Sequence, residues 1–145
     1  MNKRLLGVSS AVLLAFGYTS SSAQEGPTEP AYLYTAEVTN VVDGDTIDVD
    51  IDLGFYIMLK NQRIRLVGID APEKRGESRV AGKAATVFLR DLIDGKSIIL
   101  KTKKGRDDAD RSDSFGRWLG VVYLDGIDIN QALIDAGHAA EDIRD

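Results

Sequence analysis

Strict alternation of apolar and polar residues is clearest in residues 47–53, where isoleucine, valine and leucine alternate with three aspartates. This period of two predicts a strand with one face against a core and the other in water. Other segments are rich in strand-forming residues, and a Gly-containing turn precedes the alternating segment. The sequence thus predicts five short strands, at residues 34–42, 47–53, 63–70, 97–102 and 117–124.

A helical period appears in residues 80–94, between the third and fourth predicted strands. The predicted core-facing side of this helix consists of Ala81, Ala84, Ala85, Phe88, Leu89 and Leu92. The opposite side would carry Lys83, Thr86, Arg90 and Asp91. Gly95 is placed to end the helix, and a short second helix is predicted at 129–136, before Gly137.

The order of these elements predicts the fold class. Strands in close succession, with one helix inserted after the third, are typical of a small closed barrel. We therefore expect an α+β protein that is mainly β. Its core would be a five-stranded OB-fold Greek-key barrel with one inserted helix and a short C-terminal helix.

The N-terminal segment 1–23 has the pattern of a secretory signal peptide, with a positively charged start, an apolar stretch at 5–17 and small residues before residue 24. The apolar stretch is well under the ~20 residues that a membrane-spanning helix needs. An uncleaved N-terminal anchor is the alternative. We expect residues 24–33 to form a flexible leader and residues 34–145 to form one domain. The protein would be secreted or periplasmic, with no stable membrane association after signal cleavage.

Composition narrows the possible chemistry. The chain has no cysteine, which excludes disulfides, zinc–thiolate sites and a thiol nucleophile. Its single histidine, His138, excludes a histidine metal cluster and is predicted to lie on the surface.

Charge is distributed unevenly along the chain. The formal net charge is −5, but residues 60–117 hold 15 Lys/Arg against 9 Asp/Glu, a local excess of six positive charges. A polyanion could bind to this basic half even though the whole chain is acidic. The alternative is an ordinary solvated surface, and charge alone does not choose between the two.

Residues 63–73 carry the densest candidate chemistry. Arg65 lies within the predicted strand, Asp70 at its end, and Glu73 just beyond Pro72, which cannot continue a strand ladder. Hard carboxylate oxygens close to a guanidinium suit metal-assisted phosphoryl chemistry. The alternative is a strand whose polar end happens to be charged.

Three blocks of this sequence together resemble the thermonuclease family, the staphylococcal-nuclease-like proteins, in a short form. The blocks are residues 42–46 (VDGDT), 65–73 (RLVGIDAPE) and 113–117 (DSFGR), and their order and spacing fit the family. The resemblance covers about residues 34–140. It implies an OB-fold barrel and a calcium-dependent nuclease that acts on DNA and RNA and leaves 3′-phosphate ends.

The resemblance also implies roles for individual residues. Asp45 and Asp70 would be carboxylate ligands of Ca²⁺, with the backbone carbonyl of Ala71 as a third protein ligand. Glu73 would be the candidate general base. Two arginines, Arg65 and Arg117, would hold the scissile phosphate and offset charge in the transition state.

Substrate contacts are expected outside this set. Phe115 stands where the family often has tyrosine, so a hydroxyl contact to phosphate would be missing. Lys103 and Lys104 would line a path for the nucleic-acid backbone, with a solvated loop as the alternative. Trp118 follows Arg117, and its apolar neighbours favour a place in the barrel core or wall over a base-stacking platform. The chain stops at Asp145, where longer members continue with another helix.

Two functions stay open from the sequence. One is a sequence-non-specific nuclease acting on DNA and RNA, with single-stranded or locally open regions favoured, and present as a monomer. The other is a non-catalytic OB-fold module that only binds nucleic acid. A pure binding module has no need of the whole set of acidic and basic side chains described above.

Overall fold

The computed structural model describes residues 27–103 and 117–143. Its strands are β1 (Leu33–Asp43), β2 (Thr46–Asp52), β3 (Met58–Leu66), β4 (Ile69–Asp70), β5 (Ser97–Thr102), β6 (Trp118–Leu124), β7 (Ile127–Asp128) and β8 (Ala140–Glu141). The helices are α1 (Arg79–Ile93), preceded by a 3-10 turn at Gly76–Ser78, and α2 (Ile129–Asp135). Within these described ranges, neither α-helix has the length and apolar composition needed to cross a bilayer.

Five of the strands close into a barrel. Strand β1 pairs antiparallel with β2 and β5, β2 pairs with β3, and β5 pairs with β6. The ring closes because β3 and β6 pair in parallel, with Arg65 opposite Leu119. Closure removes unpaired sheet edges and encloses a core. The predicted OB-fold barrel with an inserted helix and a short C-terminal helix is confirmed.

The core follows from the alternation seen in the sequence. Ile47, Val49 and Ile51 of β2 are buried, while the aspartates between them face outward. Leu89 and Ile93 of α1 join the same core cluster, so the inserted helix covers apolar surface that the barrel would otherwise expose to water.

The buried face of α1 differs from the predicted one. Ala81 and Ala84 are exposed, whereas Thr86, predicted on the polar side, is buried and its hydroxyl donates to the carbonyl of Gly82 at 2.8 Å. The reason is the close approach at Gly82. A Cβ there would lie 2.4 Å from the carbonyl oxygens of both Pro72 and Glu73. The helix turns its glycine towards this loop, which rotates the buried face.

The predicted strand at 63–70 is two strands. Strand β3 begins earlier, at Met58, and ends at Leu66; the chain then turns at Gly68, where φ is +76°, before β4. Such a positive φ is readily adopted by glycine. After this turn β4 leaves the barrel and pairs with β8, with Ile69 opposite Glu141. The two short strands β7 and β8 were not predicted.

The structure shows the positions of His138 and Trp118. His138 is half-buried rather than on the surface, and its ring lies 4.5 Å from that of Phe88, centroid to centroid. Trp118 belongs to the barrel wall, as one of the predicted options, but it is 38% exposed and not a core residue.

Asn130 ties α2 to the barrel. Its side-chain oxygen accepts from the N–H of Val122 at 3.1 Å, and its amide donates to the carbonyls of Val67 at 2.9 Å and Gly120 at 3.3 Å. The residue is buried, so each bond is made away from water. One side chain therefore fixes α2 to β6 and to the turn that leads into Asp70.

We expect Asn130→Asp to lower the free energy of unfolding by about 2–4 kcal/mol, because the acid keeps the acceptor but loses both donated bonds and buries a charge beside two carbonyls. Chemical denaturation followed by circular dichroism measures the change. Gln131→Glu makes the same amide-to-acid exchange at an exposed position of the same helix and should cost less than about 1 kcal/mol. Equal losses in both variants would contradict the role of Asn130.

Candidate active site

A polar cleft of about 150 Å³ opens where the β1–β2 turn, the β4 segment and the start of β6 meet. Its lining includes all the residues predicted from the sequence to hold metal or take part in catalysis: Asp45, Arg65, Asp70, Ala71, Glu73 and Arg117. These residues come from three separate parts of the chain. The barrel therefore brings together side chains that lie up to 72 positions apart.

Asp45 is the buried anion of this cleft. Its residue is 7% exposed, at the turn between β1 and β2. One carboxylate oxygen, Oδ2, accepts from the backbone N–H of Ala71 at 2.9 Å and lies 2.8 Å from Arg65 Nη1. The other oxygen, Oδ1, accepts from the Thr46 hydroxyl at 3.0 Å. Both oxygens are thus held in fixed directions.

Burial raises the pKa of Asp45 from 3.8 to about 6. The N–H of Ala71 and the charge of Arg65 lower this pKa but do not outweigh the loss of solvation, and the nearby Asp43 carboxylate raises it further. Desolvation is therefore the main cause of the shift, and a cation bound next to Asp45 would lower this pKa by favouring the charged form.

Arg65 joins the two predicted metal ligands. Its Nη1 contacts Asp45 Oδ2 at 2.8 Å, and its Nη2 lies 3.3 Å from Asp70 Oδ1. The Arg65 side chain is 12% exposed, whereas that of Asp70 is 58% exposed at the rim. Because one guanidinium reaches both carboxylates, Asp45 and Asp70 face the same small volume.

Arg117 reaches the cleft from the start of β6. It immediately precedes β6, and its Nη1 donates to the Thr46 hydroxyl oxygen at 3.1 Å. The same hydroxyl donates to Asp45, so Thr46 links Arg117 to the buried carboxylate. Sequence analysis treated Thr46 only as part of a turn motif and missed this link. Its position directly after Asp45 was the available signal.

Glu73 is exposed at the mouth of the cleft, on a loop whose backbone is firmly held. Its carbonyl accepts from the Ser78 hydroxyl at 3.2 Å, and Gly82 of α1 packs directly against it. Next along the chain, Lys74 Nζ donates to the carbonyl of Val42. These contacts fix the loop while leaving the Glu73 carboxylate in solvent.

Gly44 fixes the opposite wall. A Cβ at this position would lie 2.8 Å from the Cβ atoms of both Ala71 and Ala85. The β1–β2 turn therefore approaches the Asp70–Ala71 segment as closely as backbone allows. The sequence showed Gly44 only as a turn residue, since nothing local to the motif indicates a long-range contact.

Of the three predicted substrate contacts, the structure describes only Lys103. Phe115 and Lys104 lie outside the described residues. Lys103 is described and exposed, but it lines a separate apolar cleft next to Trp118. Within the described residues, the cleft thus gathers the six predicted metal-binding and catalytic residues, and Thr46 is hydrogen-bonded to two of them.

The cleft offers oxygen donors of the kind that a calcium ion requires. Residues 27–103 and 117–143 contain no group of three or more acidic or histidine side chains placed to hold a metal ion. Two carboxylates, Asp45 and Asp70, share the cleft with Ala71, whose carbonyl is a further oxygen donor. Calcium takes 6–8 oxygen ligands in flexible geometry, and water or phosphate often completes the set. The residues present fit a hard, water-rich cation better than zinc.

We expect the metal-free chain to lose stability as pH rises from about 4 to about 7. The Asp45 pKa is raised in the folded state, so the folded chain binds this proton more tightly than the unfolded chain does. The stabilisation is fully present below the unfolded pKa and is lost as pH rises through about 6, by roughly 2–3 kcal/mol in all. Urea denaturation with a chelator, at several pH values, measures this.

Asp45→Asn should abolish this fall, because the amide does not titrate. Asp48→Asn is the matched control, since a hydrogen bond from Arg63 lowers the pKa of Asp48 and confines its effect to lower pH. An unchanged pH profile in Asp45→Asn would show that another group is responsible.

Comparison with known proteins agrees with this geometry. Residues 63–144 match the family described as "Staphylococcal nuclease homologue". An uncharacterized endonuclease of Escherichia coli O157:H7 is 39% identical over 103 residues, which make up 70% of this chain and 57% of that protein.

Two further relatives match shorter shares of their own length. An uncharacterized protein of Bacillus anthracis is 33% identical over 105 residues, 70% of this chain and 44% of that protein. The probable staphylococcal-like nuclease CAN1 of Oryza sativa subsp. japonica is 35% identical over 86 residues, 59% and 23% of the two chains. The chain spans about half the length of the Escherichia coli O157:H7 and Bacillus anthracis relatives. With the family match extending over residues 63–144, the resemblance inferred from the three sequence blocks is confirmed: the chain belongs to the staphylococcal nuclease homologue family.

Proposed function

We propose that this protein is a calcium-dependent, sequence-non-specific nuclease that hydrolyses phosphodiester bonds of DNA and RNA and leaves 3′-phosphate ends. The observation that carries the proposal is the single cleft in which Arg65 and Arg117 face Asp45, Asp70 and Glu73. Family membership and the endonuclease name of one relative support the same activity class.

The two arginines are the phosphate-binding groups in this proposal. A guanidinium is permanently charged and forms paired hydrogen bonds to phosphate oxygens. Arg65 contacts the carboxylates of Asp45 and Asp70, so it would exchange at least one of these contacts for phosphate when substrate binds. Arg117 donates to the Thr46 hydroxyl at 3.1 Å, which places its guanidinium at the same cleft.

The carboxylates of Asp45 and Asp70 and the carbonyl of Ala71 would hold the calcium ion. When bound, this ion supplies positive charge next to the phosphate and orients water. The charge of the cleft lining supports the assignment, because it holds four carboxylates, those of Asp43, Asp45, Asp70 and Glu73, against the two guanidiniums.

Glu73 is the proposed base. It accepts a proton from the attacking water, whose oxygen forms a bond to phosphorus while the bond to the 5′ oxygen breaks. The 5′ oxygen takes up a proton from solvent water and leaves as a hydroxyl, Glu73 returns its proton to solvent, and the phosphate stays on the 3′ side. Arg65 and Arg117 offset the charge that builds up on the five-coordinate phosphorus group.

Phosphate contacts carry no direct sequence information, which is why we propose a non-specific enzyme. Export to the periplasm or medium by the N-terminal segment 1–23, and a monomeric state, complete the proposal.

The alternative is an OB-fold module that binds nucleic acid without cutting it. Such a module would be weakened by carboxylates next to its phosphate contacts, because like charges repel. Asp45, Asp70 and Glu73 all line the same cleft as the two arginines. This juxtaposition favours an enzyme, in which the acidic groups have a task.

Purified mature protein should hydrolyse single-stranded DNA with calcium and show no hydrolysis with excess chelator. End-group analysis of the products should give 3′-phosphate and 5′-hydroxyl termini. Binding of DNA without cleavage over a wide range of calcium concentrations would instead support the non-catalytic module.

Single substitutions in the cleft should lower the rate sharply. We expect Glu73→Gln and Arg117→Lys each to reduce kcat by about 10²-fold or more, because each removes a group that acts in the transition state. Arg63→Lys is the matched control. Arg63 is exposed on the same strand as Arg65 but bonds Asp48 at 2.7 Å on the outer face of the barrel. A similar loss in Arg63→Lys, or a near-normal rate in both cleft variants, would place the site elsewhere.

A further inference from the structure

Thr46 is one of four polar residues that are buried within the described part of the chain; the others are Asp45, Thr86 and Asn130. It is 1% exposed and begins β2, directly after Asp45. A buried hydroxyl has to form a hydrogen bond to offset the loss of water, and a backbone group is the usual partner. Thr86 follows this rule, since its hydroxyl donates to the carbonyl of Gly82, one turn earlier in α1.

The hydroxyl of Thr46 is bonded instead to two charged side chains. It donates to Asp45 Oδ1 at 3.0 Å and accepts from Arg117 Nη1 at 3.1 Å. A hydroxyl carries one hydrogen, a guanidinium only donates and an ionised carboxylate only accepts, so the direction of both bonds is determined. The bonds therefore run from Arg117 through Thr46 to Asp45. Bonds to ionised groups are stronger than neutral ones, and neighbouring bonds in a chain polarise each other.

The barrel places Thr46 among the charged groups of the polar cleft. The pairing of β2 with β3 sets Thr46 opposite Arg65, and Arg65 Nη1 lies 2.8 Å from Asp45 Oδ2. The Asp45 carboxylate is therefore held on Oδ2 by Arg65 and on Oδ1 by Thr46. Arg65 contacts this carboxylate directly, and Arg117 is linked to it through the Thr46 hydroxyl.

We propose that Thr46 is a positioning residue, whose hydroxyl holds the Arg117 guanidinium where it meets the phosphate. The inference rests on the proposed nuclease function and assigns a further residue to it. The Asp45 carboxylate draws the hydroxyl hydrogen towards itself, so the hydroxyl oxygen faces Arg117. An arginine side chain loses much rotamer freedom when it is fixed, and this hold meets that cost before the substrate binds.

Two substitutions separate this role from simple packing. Thr46→Val keeps the shape of the side chain and removes the hydroxyl, whereas Thr46→Ser keeps the hydroxyl and removes the methyl group. If Thr46 only filled space, serine would be the more harmful replacement, because it leaves a cavity in a buried position. If the hydroxyl positions Arg117, valine is the more harmful one.

Hydrolysis of single-stranded DNA at saturating calcium gives the first readout. Thr46→Val should lower kcat by about 10- to 100-fold, because a small misplacement of a group that acts in the transition state is costly. KM should change by less than about 3-fold, since binding of the ground state is retained. Thr46→Ser should keep kcat within about 3-fold of the unmodified protein, even if its melting temperature falls. Thr86→Val, the matched control, removes the other buried hydroxyl and should keep kcat within about 2-fold.

Two further measurements test whether Thr46 acts through Arg117. In an Arg117→Ala background, Thr46→Val should lower kcat by less than about 3-fold, because the group that it holds is already absent. In the metal-free protein, NMR follows the exchange of the Arg117 guanidinium N–H groups with water, and their signals are assigned by their loss in Arg117→Lys. Thr46→Val should speed this exchange, whereas Thr46→Ser and Thr86→Val should leave it slow.

A near-normal kcat in Thr46→Val would overturn the positioning role, and so would an equal loss in Thr46→Ser. An undiminished loss in the Arg117→Ala background would also overturn it, since Thr46 would then act through another group. These results are distinct from failure of the nuclease proposal, which is shown by absence of hydrolysis in the unmodified protein. The exchange measurement needs neither calcium nor substrate, so it would still decide whether Thr46 holds Arg117.

Discussion

The buried carboxylate of Asp45 is the constraint on which the structure of the polar cleft depends. A charged oxygen out of water must be matched by donors, and here a backbone N–H, a hydroxyl and a guanidinium supply them. Each donor belongs to a different part of the chain: Ala71 follows β4, Thr46 begins β2, and Arg65 lies in β3. Satisfying one anion therefore fixes the relative positions of three segments.

Closure of the barrel brings the two arginines of the cleft together. Only one pair of barrel strands, β3 with β6, runs parallel, and this pairing joins the middle of the chain to its C-terminal part. It sets Arg65 and Arg117 on neighbouring strands, so two cations reach the same cleft. The same pairing places Trp118 next to Ile64, outside the polar cleft. The order of the strands thus produces two clefts that share no lining residue, one polar and one apolar.

Much of this could be predicted because the decisive signals are local. Period-two alternation identified β2, and the motif blocks identified six residues that the fold gathers in one cleft. The errors concern long-range contacts. The buried face of α1 is set by the approach of Gly82 to the 72–73 backbone, and a helical period does not reveal that partner. The break after Leu66 depends on β4 pairing with β8, some 70 residues away. The half-buried place of His138 depends likewise on Phe88.

The hydrogen bonds of Asn130 couple the candidate active site to the core of the barrel. Its amide holds the Val67 carbonyl, just before the turn that leads to Asp70, and its oxygen holds the Val122 amide inside the barrel. Beyond it, the Asp142 N–H donates to the Gly68 carbonyl at 2.9 Å, on the same turn. Local opening of the Asp70 segment thus breaks bonds to the core and to the C-terminal strand together. We therefore expect the Asp70 segment to open together with this part of the barrel, and not as an independent loop.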